Sequence, residues 1–195
     1  MPHRVTELYC IMPIANVASV MVHGILSHDE AARLSHADIS LAEVQKRREQ
    51  KSVPGGLRLH EYANLYFCAR NPMMYRRQGE RERLCVLLVD RRLLESPGIV
   101  LSTGNAASDY SRFLSSPAGL QEIAWDDVFA DYWTDENPLK QMRKKSAKCA
   151  EVLVPHCVKP CFITGAYVSC TTGRDALLAT GFELPITINP DVFFG

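Results

Sequence analysis

Glu151 is the residue of this chain whose placement most clearly suggests chemistry. It opens the run Glu151-Val152-Leu153-Val154-Pro155, an apolar, β-branched stretch of strand character. A basic segment with Lys140, Arg143, Lys144, Lys145 and Lys148 comes directly before it. An ionised carboxylate buried at a strand start is costly unless something pairs with it. A cleft that handles a cation offsets that cost, and the positive charge upstream points to an anionic second reactant. Two further basic clusters hold Lys46, Arg47, Arg48 and Lys51, and Arg70, Arg76, Arg77, Arg81 and Arg83. Each alone reads as a solvated face. Three of them, each beside an apolar or aromatic motif, read as a binding surface.

The elements that must carry these groups follow from apolar periodicity and turn chemistry. Leu8 to Met12 reads as a first strand, stopped by Pro13. Ile14, Val17, Val20 and Met21 sit at helical spacing, with Gly24 as the C-terminal cap or as a close backbone approach to a ligand. Residues 38–51 read as a helix with Asp38 as N-cap and cations at the C-terminal end, broken by Pro54-Gly55-Gly56. Tyr62 to Phe67 is a strand, Asn71-Pro72 a turn, and Met73 to Arg77 a short helix. Leu84 to Val89 is the clearest buried strand, and Ile99 to Ser102 is another. Residues 109–114 and 125–133 read as helical, and 138–149 as a basic helix or loop leading into the Glu151 strand. Ala166 to Ser169 and Leu184 to Ile188 are the last strands, with a helix over 172–180. Short strands mixed irregularly with helices predict an α+β domain rather than a doubly wound parallel sheet. No GxGxxG or P-loop pattern occurs.

The bulk numbers set limits. The 195 residues, 47% apolar and 23% charged, suit one globular domain spanning 1–195. Formal net charge is zero, so anion binding must come from local patches. The seven cysteines form no CxxC pair, and Cys157 and Cys161 lack a matching second pair, so no metal is expected. Free thiols, no signal-peptide pattern and no membrane-length apolar run predict a cytoplasmic protein that does not enter membranes.

Several stretches together resemble a known family. Tyr66-Phe67-Cys68-Ala69-Arg70-Asn71-Pro72-Met73-Met74-Tyr75 is similar to the YF-x-x-R-(S/N)-P-M-x-Y signature of the DarT family of DNA ADP-ribosyltransferase toxins. Gln45-Lys46-Arg47-Arg48-Glu49 through Val53-Pro54 resembles the family's loop-helix over the NAD site. Ala150-Glu151-Val152-Leu153-Val154 resembles its AE-(F/V)-LV segment, and Gly104-Asn105-Ala106-Ala107 and Tyr132-Trp133 also have counterparts. Order and spacing agree from about residue 8 to residue 155.

The resemblance implies an ADP-ribosyltransferase-like fold, a split, mainly antiparallel sheet with NAD in its cleft. It implies transfer of ADP-ribose to a base in single-stranded DNA, and a macrodomain antitoxin partner of the DarG type. The expected enzyme is a monomer with NAD as co-substrate. By position Glu151 matches the catalytic glutamate, and Arg48 the arginine that contacts NAD and supports catalysis. The family's first strand usually carries Tyr-His-Ile, whose His helps hold NAD; here it reads Tyr9-Cys10-Ile11. A thiol does not reproduce imidazole hydrogen bonding, which leaves the backbone of Cys10 and Ile11 to clamp the nicotinamide amide, with Gly24 nearby.

A carboxylate beside the ribose suits a sugar that turns cationic as nicotinamide leaves, and it can accept the proton of the attacking base. Arg70, Tyr75, Arg76 and Arg77 combine stacking and phosphate-binding groups, as single strands require. In this enzyme class the segment with Lys144, Lys145 and Lys148 is the target-recognition loop. Tyr66, Phe67, Trp125 and Trp133 read as core. Acceptors in RNA or protein, or an inactive module of the same fold, remain open from sequence, as does the identity of the target base.

Overall fold

In a computed structural model that describes residues 4–195, the chain forms an eight-stranded sheet and a separate two-stranded one. In chain order the strands and helices are β1 (Glu7–Pro13), α1 (Val17–His23), β2 (Ile25–Leu26), α2 (His28–Ala31), α3 (Ala42–Glu49), β3 (Tyr62–Tyr66), α4 (Pro72–Arg76), β4 (Leu84–Asp90), β5 (Val100–Ser102), β6 (Phe113–Ser115), α5 (Trp125–Val128), α6 (Pro138–Ala147), β7 (Glu151–Pro155), β8 (Cys157–Val158), β9 (Ile163–Val168), α7 (Thr171–Leu178) and β10 (Ile186–Ile188). The large sheet runs β10-β9-β4-β1-β3-β7-β5-β6 and is antiparallel except for the β10–β9 pair. The mainly antiparallel α+β expectation holds.

β4 sits inside the sheet and reads Leu84-Cys85-Val86-Leu87-Leu88-Val89 without a polar break, because both of its faces are covered. Cys85, Leu87 and Val89 join the larger core with Leu8, Phe67 and Val152; Leu84 and Val86 join a smaller one with Ile11, Met74 and Phe193.

β1 is paired along its whole length with β4 but meets β3 at a single pair, Tyr9 with Tyr66. β3 is paired along its length with β7. The sheet therefore parts between β1 and β3 beyond that pair. Alternate N–H and C=O groups of the parted β1 edge face the gap without a strand partner.

The structure departs from the sequence expectation where short polar side chains take over the backbone. Asp38 does not cap a helix. Its carboxylate accepts from the Ser40 N–H (2.7 Å) and hydroxyl (2.9 Å), and α3 starts only at Ala42. Residues 109–114 are not helical but a turn leading into β6, with the Ser111 hydroxyl donating to the Asn105 carbonyl (2.7 Å) and the Arg112 N–H to Thr103 Oγ1 (3.0 Å). The expected helix over 125–133 stops at Val128. Asn71 and Asn137 each cap a helix with proline in its first turn, so Asn71-Pro72 is the start of α4 rather than a free turn.

Candidate active site

Glu151 is the first residue of β7, where its strand neighbours are Tyr66 on β3 and Ser102 on β5. Paired residues point to the same face, so Tyr66, Glu151 and Ser102 share one side. The Ser102 hydroxyl donates to the Gly104 carbonyl (2.8 Å) and turns the chain into a loop. That loop returns the Ala106 N–H to Glu151 Oε1 at 2.9 Å. Arg48 donates from α3 to Oε2, also at 2.9 Å. Glu151 is 2% exposed and Arg48 6%. Each carboxylate oxygen has two lone pairs, so one on each remains for a ligand hydroxyl or proton.

The same loop is anchored to the segment that precedes Glu151. The Asn105 N–H donates to the Ser146 carbonyl (3.1 Å) at the end of α6. A Cβ on Gly104 would lie 2.5 Å from Ser146 Oγ and 3.0 Å from the Ser146 carbonyl oxygen, so a larger residue would have to push the two segments apart or turn the serine. Burial, and then the Glu151 charge, hold the Tyr66 phenol well above its ordinary range, so it stays a neutral donor beside the carboxylate.

These groups line a cavity of about 1530 Å³, large enough for a dinucleotide, that also reaches Cys10, Ile11 and the parted edge of β1. One wall is the segment after α2. Asn16 and Ala37 exchange two hydrogen bonds (2.8 and 2.9 Å), and Arg77 holds the Ile39 and Ser40 carbonyls.

The sequence matches the family described as ssDNA thymidine ADP-ribosyltransferase, DarT, over residues 9–194. The chain belongs to the DarT family. It is 35% identical, over 98% of its length, to the DNA ADP-ribosyl transferase–DNA ADP-ribosyl glycohydrolase fusion protein of Thermosipho africanus (strain H17ap60334), and spans 50% of that relative. A solved structure of Thermosipho africanus DarTG in complex with ADP-ribose has a TM-score of 0.82 at 30% identity, over 96% of this chain and 51% of that one. Thermus sp. 2.9 DarT in complex with ADP-ribosylated ssDNA has a TM-score of 0.86 over 97% of this chain and 96% of that one, a likeness of fold at 23% identity. The ADP-ribosyltransferase-like fold read from the DarT resemblance is thus the fold of this chain.

The residues singled out for a DarT site do not all converge. Glu151, Arg48, Ile11, Tyr75, Arg76, Arg77, Lys145 and Gly24 border the one cavity. Cys10 reaches it too, but its side chain packs in the larger core, and burial pushes the thiol up to about 12. Gly24 has φ +88°, and a Cβ there would lie 2.4 Å from the Val158 carbonyl oxygen. The approach that requires glycine is therefore to β8, not to a ligand.

Four cations expected on DNA are engaged elsewhere. Lys148 is 2% exposed, its ammonium bound to the Val128 (3.1 Å) and Ala130 carbonyls and near Cys68 Sγ. Arg70 donates to the Asp191 (2.9 Å) and Asp131 (3.1 Å) carbonyls. Lys144 is paired with Asp135 at 2.7 Å. Arg77 borders the cavity, but its NH2 group is spent on the wall and its NH1 on Glu80 at 2.8 Å.

Three groups that sequence reasoning does not place in the site are present. The Ala106 N–H leaves no trace in a side chain; its only signal is the Gly104-Asn105-Ala106-Ala107 likeness. Tyr66 and Trp133, which read as core, stand in the cavity wall. Among the described residues no cluster of metal-ligating side chains occurs. No helix there is long and apolar enough to cross a membrane.

Proposed function

We propose that this chain transfers ADP-ribose from NAD to a base of single-stranded DNA and releases nicotinamide. The observation that carries the reading is Glu151. It is a buried carboxylate fixed by Arg48 and a backbone N–H, facing a cavity that the parted sheet leaves open. Nicotinamide leaves with the electron pair of its bond to the ribose, and the sugar becomes oxocarbenium-like. The preorganised negative charge of Glu151 lies where that positive charge develops. A ring nitrogen of the base donates its electron pair to the ribose carbon, and its proton passes to Glu151 or to water. The family description names thymidine as the base.

Arg48 orients the carboxylate through NH1 and has further donors for the pyrophosphate. With the Cys10 thiol neutral and in the core, the backbone of Cys10 and Ile11 on the unpaired β1 edge is left to clamp the nicotinamide amide. Tyr75, Arg76 and Lys145 guide the DNA. The Thermosipho relative carries a DNA ADP-ribosyl glycohydrolase in the same chain. That supports a toxin role here, with a DarG-like macrodomain that removes the modification. We place the enzyme in the cytoplasm as a monomer.

The test incubates the protein with NAD and with DNA, RNA and protein acceptors side by side, reading nicotinamide release and acceptor mass. Only DNA should gain one ADP-ribose. Glu151→Gln should lower the rate by about 10²- to 10³-fold, the size expected for losing one preorganised group. Product on RNA or protein alone, or an undiminished rate for Glu151→Gln, overturns the reading.

A further inference from the structure

Three aromatic rings from distant parts of the chain meet beside the cavity. Tyr75 lies edge-to-face with Trp133 (centroids 5.7 Å apart, 80°) and with Phe194 (5.1 Å, 78°). Trp133 meets Phe194 in the same way (6.0 Å, 81°). Rings that are pairwise perpendicular form an open corner rather than a closed stack. Tyr75 is 47% exposed, and the other two are half-buried. Tyr75 and Trp133 border the same cavity as Glu151.

The corner is held from behind. Arg70 bridges the Asp131 and Asp191 carbonyls, and its guanidinium lies 4.2 Å from the centre of the Phe194 ring. One side chain thereby ties the segment carrying Trp133 to the segment carrying Phe194. Phe194 has φ 59° and ψ 35°, a left-handed backbone that bulky residues rarely adopt, while Phe193 beside it is fully buried. Such a conformation persists only where its surroundings impose it, and here it turns the second ring outward to Tyr75 and Trp133.

The corner also shares its cavity with the buried carboxylate. Met73 and Cys149 both border that cavity. Met73 is two residues before Tyr75, and Cys149 two before Glu151. Around it Arg76, Arg143 and Lys145 are exposed and have no hydrogen-bond or ion-pair partner among the described residues. Aromatic faces that accept any π-surface, ringed by unengaged cations, fit a base attached to phosphates. An uncharged apolar partner makes no use of those cations, and a cationic one is repelled by them.

We propose that Tyr75, Trp133 and Phe194 form a stacking site for an unpaired base adjoining the one that is modified. Arg70 is the positioning residue that assembles the corner, and Arg76, Arg143 and Lys145 meet the phosphates on either side. The identity of the strand as single-stranded DNA rests on the transferase reading; the corner and its bracket do not.

The probe is a set of short single-stranded DNA oligonucleotides of mixed sequence, each with one abasic site at a different position. Binding is read by anisotropy of an end label and by quenching of tryptophan emission. Tyr75→Ala and Trp133→Ala should each weaken binding roughly 5- to 150-fold, the loss of one stacked base. Tyr75→Phe should restore it. The penalty should vanish at one abasic position, where there is no base left to stack. Arg70→Ala should show the same position-dependent loss, which a merely destabilised fold would not. Quenching should be lost in Trp133→Phe, which keeps a ring.

Wild-type affinity in alanine variants that melt as folded proteins overturns the proposal. So does a penalty equal at every abasic position. If the abasic pattern appears but no base is ever modified, the stacking site stands and the transferase reading falls. If DNA is modified but the abasic scan is flat, the transferase reading stands and the stacking site falls.

Discussion

Charged groups in this chain have to be judged one residue at a time, because burial separates neighbours of the same type. Arg48 and Glu151 form an ion pair in which both partners are almost wholly buried. Pairs of this kind seldom add net stability over apolar replacements, yet removing one partner leaves an uncompensated buried charge. Arg48→Ala should therefore lower unfolding stability by about 3–5 kcal/mol in urea titrations. Adding Glu151→Gln to it should recover part of that loss, so the two changes will not add. A fully additive double variant would mean that the pair is not the source of the cost. Lys148 makes the opposite point. Its type and position suit a DNA contact, but its ammonium serves the Val128 and Ala130 carbonyls. Lys148→Met should cost about 1–3 kcal/mol for each buried carbonyl left without a donor, while the folded fraction binds oligonucleotide as before. Nothing in a run of cations tells which one the chain turns inward. Glu151 draws notice in the sequence because a single carboxylate opens an apolar strand, but by itself that placement reads as a surface ion pair, and the family likeness is what singles it out. Arg48 is legible only through the motif around it.

At the level of elements, α3 is the least self-sufficient piece of the site. It has no apolar stripe, and Arg48 is its only buried residue. Polar ties hold it: His60 Nε2 to Gln45 Oε1 (3.0 Å), the Leu59 N–H to the Lys51 carbonyl (2.9 Å), and Lys51 to Asp109 (2.7 Å). Gln45 lies one turn before Arg48, so the His60 bond sets where the arginine sits. The His60 ring also packs 4.2 Å from His28. Burial, then the His28 charge, lowers the His60 pKa, with Arg48 acting the same way and Asp29 and Glu49 opposing. The unfolded chain then binds the proton more readily than the folded one, so stability rises with pH up to the ordinary histidine range. It is lost as pH falls through the lowered value. Urea midpoints should drop between neutral pH and mildly acidic pH, and His60→Gln should flatten that dependence; an equally steep profile in the variant would assign it to other groups. The strands in this architecture are readable because their apolar runs are long or alternate cleanly, as β4, β7 and the first strand show. The start of α3 and the presence of β6 are not, because Asp38, Asn105 and Ser111 bind nearby backbone in ways that hydrophobic periodicity does not register.

Taken whole, the molecule has no net charge to draw a polyanion to it. On the proposed reading, affinity for DNA comes from a few cations the fold leaves unengaged beside the aromatic corner, since the others expected there from sequence are committed to the architecture. Arg70 and Arg77 brace segments against α4, Lys144 closes on Asp135, and Lys148 is sealed under α5. Arg76, Arg143 and Lys145 remain. Each phosphate neutralised on a single strand contributes about −0.7 to the slope of log affinity against log salt. Three contacts predict a slope of about −2, shallow for a DNA-binding surface. Glutamine at Arg76, Arg143 or Lys145 should make the slope shallower by about 0.7 each, and glutamine at Lys144 should leave it unchanged. A slope much steeper than about −2 would mean that the braced arginines release their carbonyls when DNA arrives, and that the cavity walls rearrange on binding. A slope that holds at about −2, and shifts only with those three, would mean that the strand docks on a surface the fold has already set, with stacking supplying the rest of the affinity.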